Sequence, residues 1–394
     1  MPRPATSTPW RATSGIDPRI NLNNQRWTQP VVMEGTTGSV RFDHALHGDW
    51  TFRLHALQQR LRSDDRTAFP YGAYAADYSC TWCDRYAPDG SFSYWEYISN
   101  DERRTSRALD ASVRGTTKTG AVTHTLQAGV LGTRFEARFQ DQVFDLAHTG
   151  RIGGRVQVPA SAGYTDANTH RTERSTEAYV RDAARWGAWQ LWGGLRHTRL
   201  VRDSVRTSPA SDGLRATHLL QSATLPWLGL GLETSLRTFV YASWGQGLES
   251  EVAPNRARYT NAGQALPALK SRQVEVGVKR SGDAYEAGFN VFDIDRPQAA
   301  DRGACDADNT CTRVIDGSAR HRGVEAQLKW TAGALLWQAS AMLLDAQRQG
   351  SATAAINGLR PVNVPRSSLR LGVTWRVAAV PGLGAPGLTT ADLK

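Results

Sequence analysis

Most of this chain reads as strand-length runs in which apolar and polar side chains alternate with a period of two. In 273–279, Val274, Val276 and Val278 point one way and Gln273, Glu275 and Lys279 the other. The run 324–330 sets Val324, Ala326, Leu328 and Trp330 against Glu325, Gln327 and Lys329. The last run sets Leu369, Leu371, Val373 and Trp375 against Arg370, Thr374 and Arg376. Connections alternate in length: short at 47–49, 117–120, 185–188, 231–237, 281–282 and 331–333, long at 62–91, 140–171, 203–217, 246–270, 294–318 and 346–361. A meander with short turns at one end and long loops at the other is the pattern of an outer-membrane barrel. The expectation is an all-β, antiparallel up-and-down transmembrane β-barrel, of about thirteen strands each about ten residues long.

A soluble β-sandwich shares the period of two, so periodicity alone does not choose between them. Tryptophan placement adds weight to a membrane wall. Trp50, Trp186, Trp189, Trp227, Trp330, Trp337 and Trp375 fall near the short turns, where an aromatic girdle meets lipid headgroups. A β-propeller would repeat every 40–50 residues or so with connections cycling in fours, whereas these cycle in twos. No apolar run approaches the roughly 18 residues of a membrane helix, which a barrel does not need. The longest is the glycine-broken 225–232.

The formal charge of +10 rests on 42 arginines against five lysines. Spread over every strand, they do not form the stripe that nucleic acid requires. Compositional bias explains them as well as an arginine-bearing surface facing anionic ligands or lipopolysaccharide phosphates. The four cysteines form two close pairs, Cys80/Cys83 and Cys305/Cys311, in long loops. No His or Cys completes a zinc set and no helix follows Cys83, so two local disulfides formed in an oxidising periplasm are expected. Nine scattered histidines give no triad order and no HExxH spacing. His44, His47 and His55 straddle a rim turn and are expected to be solvated, with no metal site. The glycines of 150–155 precede no helix and read as loop, not phosphate cradle. No enzyme activity is expected. Met1–Ile20 is polar and is not a signal peptide.

Several segments resemble siderophore-type TonB-dependent receptors of Gram-negative bacteria. They are VYASWGQGLESEVAPN (240–255), YTNAGQALPALKSRQVEVGVKR (259–280), FNVFDIDRPQ (289–298), RVIDGSARHRGVEAQLKW (313–330) and GLRPVNVPRSSLRLGVTW (358–375). Upstream, DPRINLNNQRW (17–27), LRSDDRTAFPYG (61–72) and RSTEAYVRDAARWGAWQLWGGLRHTR (174–199) are similar to barrel segments of that family, in colinear order. The resemblance implies a barrel of about 22 strands closed by a plug, importing ferric siderophores with energy passed through the plug. Residues 1–394 then read as an incomplete barrel domain, lacking the plug, its energy-coupling segment, about five first strands and about four last ones.

The expected function is a receptor and transporter for ferric siderophores in the cell outer membrane, with iron present only inside the bound chelate and no other cofactor. Expected partners are the ferric siderophore, outer-membrane lipid and lipopolysaccharide, with the TonB energy-coupling complex reached only through the missing plug. Aromatic and guanidinium groups suit a bulky, anionic chelate. Candidate contacts are Tyr71, Tyr74, Trp82, Tyr94, Trp95 and Tyr97 around the first long loop. Trp192 and Arg196 are expected on a luminal face, and Tyr241, Trp244 and Gln246 at the loop end of a strand. The alternatives are a receptor for haem, cobalamin or an oligosaccharide, a secreted soluble β-rich binding module, and a non-functional remnant of a truncated gene. With unpaired edges near Arg41 and Leu371, this product alone is expected neither to transport iron nor to form a heat-modifiable barrel.

Overall fold

The computed structural model describes residues 21–375, apart from 24, 29, 76–78, 84, 155, 208–215, 236, 255–257, 265, 268 and 306–309. Period-two alternation has produced one dominant antiparallel sheet. Its first strands are β1 (Val32–Ala45) and β2 (Thr51–Pro70), followed by the small pair β3 (Ala73–Tyr74) and β4 (Cys80–Trp82). Then come β5 (Ser91–Thr119), β6 (Val122–Arg138), β7 (Val143–Arg151), β8 (Thr169–Trp186), β9 (Trp189–Arg206) and β10 (Ala216–Ser235). The last six are β11 (Thr238–Glu249), β12 (Leu269–Ser281), β13 (Tyr285–Gly303), β14 (Cys311–Ala332), β15 (Leu335–Gln349) and β16 (Ser367–Trp375).

Strand order follows the chain from β1 to β16, through thirteen strands, with β7 added to the upper half of β5 and β3–β4 standing apart. All the ladders are antiparallel between sequence neighbours on this path, as a meander requires. No described helix is long and apolar enough to cross a membrane. The expected strand count along the path and the open ends at β1 and β16 are found; neither edge strand has a second partner among the described residues.

Strand length differs from expectation. β5 runs for 29 residues and β14 for 22, well beyond the bilayer. Polar sequence does not end a strand; it only removes the need for an apolar face. Where two neighbouring segments stay extended, their backbone groups pair in water as they do in lipid. The stretch 140–171, read as loop, accordingly contains β7, and its Val143, Phe144, Asp145 and Leu146 pair with Ile98 to Trp95 of β5.

One face of the sheet is apolar and uncovered. Val274, Val276, Leu369 and Leu371 are 44–68% exposed, and Val278 and Val373 lie half-exposed on the same face. Leu109, Val130, Val180, Leu195, Leu228 and Phe289 continue the belt, each 44–54% exposed. In a soluble sandwich this surface would be buried against a second sheet. Here no second sheet covers it, and the only other described sheet has two strands.

Tryptophans edge the belt at the short turns: Trp186 and Trp189 flank one turn, and Trp330 pairs with Trp337 beside another. Trp227 does not belong there. It is on the polar face in mid-strand, its indole lying over Gly194, because odd positions of β10 face away from Leu228 and Leu230. Gly323 sits within β14 beneath the Phe292 ring, where a Cβ would collide with it.

A charge on the apolar face should be costly and one on the polar face should not. Val276→Arg should destabilise the membrane-inserted wall by about 2–4 kcal/mol, and Gln327→Arg by less than about 0.5 kcal/mol. Guanidinium unfolding of a whole receptor that carries this wall, reconstituted in lipid vesicles, measures both.

Candidate functional site

The polar face carries aromatic rings set into glycine positions. Trp192 of β9 lies over Gly229 of β10, and Phe239 of β11 lies over Gly231; a Cβ at either glycine would collide with the ring. The broken apolar run 225–232 thus has alternate duties, leucines on one face and ring seats on the other. Trp192 and Phe239 are 6.0 Å apart between centroids, and Phe239 and Tyr241 are 6.2 Å apart. The Tyr241 hydroxyl donates to Glu275 Oε1 at 2.5 Å, with the Lys279 ammonium 5.1 Å from the ring centroid. On the same face Arg196 pairs with Glu177 at 3.2 Å, and the Tyr179 hydroxyl donates to Asp110 at 3.0 Å.

Beyond the belt on the long-loop side, β2, β5 and β7 form a raised three-stranded extension, layered on both faces. One face holds the small core of Phe92, Tyr94 and Val158, with Leu22, Tyr86 and Val156 against it. Gln25, 1% exposed, fixes the arriving segment. Its Nε2 donates to the Val156 carbonyl at 2.9 Å, and its Oε1 accepts the Val158 N–H at 2.8 Å. The Trp27 indole N–H donates to the Val158 carbonyl at 3.1 Å. Buried Glu96 accepts the Ser161 N–H at 3.0 Å. The other face carries a chain of rings: Tyr71 stacks on Tyr74 at 6.1 Å, Tyr74 meets Trp95 edge-on at 5.3 Å, and Trp95 meets Phe144 at 5.5 Å. Tyr71 and Phe144 at its ends are each 49% exposed.

The sequence-based candidates therefore separate. Tyr71, Tyr74 and Trp95 come together, with Tyr97 two positions along the same strand and paired to Phe144. Trp82 is exposed on β4, which pairs with Tyr74's strand. Tyr94 is 1% exposed and committed to the core beneath, because it alternates with Trp95. Trp192 and Arg196 lie on the polar face as expected, but Trp192 is near the short-turn end of β9. Tyr241 likewise sits at the short-turn end of β11, not at the loop end. Trp244 pairs with Leu228 and Val274, and so with Gln246 belongs to the apolar face. Trp244 is three positions on from Tyr241, and an odd step reverses the face. Phe144 was missed because its segment was read as loop, although Val-Phe-Asp-Leu carries a strand alternation.

Two other loop-side contacts shape the rim. The segment after β11 is held by Tyr259, whose hydroxyl donates to Asp301 at 2.9 Å, and by Glu251 and Asp301, which both engage Arg313. Asp316, 4% exposed, accepts the Ser351 hydroxyl at 2.5 Å and the Ala352 N–H at 2.9 Å. Those donors, with the Arg302 and Arg348 guanidiniums nearby, hold its carboxyl below the usual 3.8. Cys305 and Cys311 form a disulfide. Cys83 is also disulfide-bonded, and the side chain of Cys80 lies outside the described residues.

Comparison with known proteins also gives a β-barrel. The family model "TonB dependent receptor-like, beta-barrel" matches residues 2–391. The chain belongs to the TonB-dependent receptor barrel family. Barrels of this family reside in the outer membrane of Gram-negative bacteria, and the family is one of receptors. The ferrichrome receptor FcuA of Yersinia enterocolitica is 29% identical over 180 residues, which is 45% of this chain and 22% of that protein. Among solved structures, the ferric preacinetobactin receptor BauA of Acinetobacter baumannii superposes with a TM-score of 0.69 at 19% identity, over 89% of this chain and 50% of that one. The ferric-catecholate import receptor Fiu of Escherichia coli K12 gives 0.70 at 16% identity, over 88% and 52%. The chain thus spans about half the length of these solved relatives. Within the TonB-dependent receptor barrel, the polar face is the inner one and the apolar face meets lipid.

Two outcomes test this rim. Asp316 has a folded pKa depressed below its unfolded value, so its contribution is complete above about pH 4 and fades as pH falls through the lowered value. Exchange protection of the Ala352 amide should hold through the ordinary carboxylate range and be lost only as pH falls below it, and Asp316→Asn should abolish that dependence. In exported protein, an unreduced digest should release Cys305–Cys311 and Cys80–Cys83 peptides by mass spectrometry, with free thiols or cross-pairs contradicting the expected pairing.

Proposed function

We propose that this chain is the central barrel wall of an outer-membrane receptor that imports ferric siderophores. The observation that carries the reading is the ring chain Tyr71–Tyr74–Trp95–Phe144, set on a rigid extension at the long-loop end of a TonB-dependent receptor barrel. Aromatic rings fixed by packing on both sides lose little freedom on binding, and they offer flat apolar area to a chelate's ligand arms. Relatives named for ferrichrome, ferric preacinetobactin and ferric catecholates support this substrate class. Iron enters as the siderophore's own bound ion. The plug, the coupling to TonB and the strands that would pair with β1 and β16 belong to the rest of the receptor, with residues 1–394 as an incomplete barrel domain. The wall acts by binding and guiding, with no chemical step.

The test compares the 394-residue chain with a receptor completed by plug and flanking strands, both in a receptor-deficient strain under iron limitation on a panel of ferric siderophores. The completed receptor should rescue growth on at least one siderophore and the short chain on none. Rescue on haem or cobalamin alone would replace the substrate class, and rescue by the short chain would overturn the incomplete-wall reading. In the completed receptor, Tyr74→Ala and Trp95→Ala should each weaken binding of the rescuing siderophore by about 5–30-fold.

A further inference from the structure

The lumen wall carries a second set of rings, far from the loops. Trp192, Phe239 and Tyr241 stand in a row at the short-turn end of β9 and β11, with centroids 6.0 and 6.2 Å apart and planes 30° and 17° apart. Each lies over a glycine: Trp192 over Gly229, Phe239 over Gly231 and Tyr241 over Gly277. The rings therefore lie along the wall, half-exposed toward the passage. β5 alone rises about 70 Å from rim to rim at a tilt near 40°, so a chelate held by Trp95 at the loop end does not reach Phe239.

Beside the rings the wall forms a concave pocket of about 880 Å³. The register sets its floor. Phe239 stands opposite Lys279, Lys279 opposite Gly288, Gly288 opposite Gln327, Gln327 opposite Ser340 and Ser340 opposite Arg370. One row across β11 to β16 thus holds a ring, a cation, three small or polar positions and a second cation. Lys279 lies 5.1 Å from the Tyr241 ring centroid, and neither it nor Arg370 has a carboxylate within ion-pair distance among the described residues. Carboxylates on this face are engaged or stand higher. Glu286 takes Lys329 at 3.9 Å, Glu275 accepts the Tyr241 hydroxyl, and Glu325 is registered with Asn290, one step toward the loops.

We infer that this platform is a second siderophore site, at the exit of the lumen, which receives the ferric chelate after the loop-side rings release it. The inference rests on the siderophore reading of those rings. The pocket falls within the roughly 300–1,000 Å³ of sites that enclose small ligands. Flat ring faces take the apolar or aromatic arms of the chelate, and the ammonium and guanidinium at the two sides attract its negative charge. Gly288 and Ser340 keep the floor between them low. A plug segment packed on the same rings is the competing occupant.

The test uses the completed receptor in the receptor-deficient strain, with radioiron-labelled forms of each ferric siderophore in the panel. Surface binding is measured on energy-depleted cells, and uptake at saturating ligand on energised ones, each normalised to receptor in the membrane. F239A should lower the saturated uptake rate by at least about fivefold while shifting the surface dissociation constant less than about twofold. W95A should do the reverse. F239Y, which keeps a ring, should restore the rate. K279Q should slow an anionic ferric catecholate more than an uncharged ferric hydroxamate, and K279R should restore it. Saturated uptake unchanged in F239A would overturn the proposal. So would new sensitivity of the F239A strain to a glycopeptide antibiotic too large for the outer membrane, because that marks a loosened plug as the occupant. Growth rescue on no siderophore would remove this inference and the receptor reading together, whereas rescue with unchanged F239A uptake removes this inference alone.

Discussion

A backbone N–H or C=O left unpaired in hydrocarbon costs several kcal/mol, and water is not there to replace the partner. Every other feature of this wall depends on meeting that demand through inter-strand ladders. The meander meets it by pairing each strand with its sequence neighbours, so that β2 through β15 on the path have partners on both sides. Among the described residues β1 and β16 have one each. That asymmetry links the fold to the proposed function, because a transporting wall needs those edges closed, and the family's barrels close theirs with further strands.

Once the ladders are fixed, side-chain parity decides what each residue can do. A single register fixes Val276 on the uncovered apolar face and Glu275 on the polar one. The same rule seats Trp192 and Phe239 over glycines, because a ring lying flat across a neighbouring strand needs a position without a Cβ. Beyond the hydrocarbon the constraint relaxes. β2, β5 and β7 can then be covered on both faces, with Gln25 and Glu96 tying incoming segments to one side and a chain of rings on the other. Rigidity there comes from packing, not from the membrane.

Fold class, strand order and the turn positions were legible in the sequence because they follow from short-range signals: alternation, loop length and rim tryptophans. The faces of individual residues were legible only where a long unbroken run set the phase, as in 273–279. Tyr94 and Trp244 fall on other faces than their companions because parity outweighs residue type: Tyr94 is one step from Trp95 and Trp244 three from Tyr241. Trp227 was drawn to the rim by its nearness to a turn, whereas Gly194 on the next strand provides its seat. Gln25 could not have been found, since its partners at Val156 and Val158 are more than a hundred residues away and are backbone atoms.

The two-faced wall is tested most directly by spin labels placed one at a time along 273–279 in receptor embedded in outer-membrane vesicles, with native disulfides intact. Accessibility to molecular oxygen, which concentrates in lipid, should peak at 274, 276 and 278. Accessibility to a water-soluble nickel chelate should peak at 273, 275 and 279. A period of two in opposite phase for the two reagents is the predicted result. Equal nickel accessibility at all these positions, or protection of 274, 276 and 278 from both reagents as under a covering sheet, would contradict it.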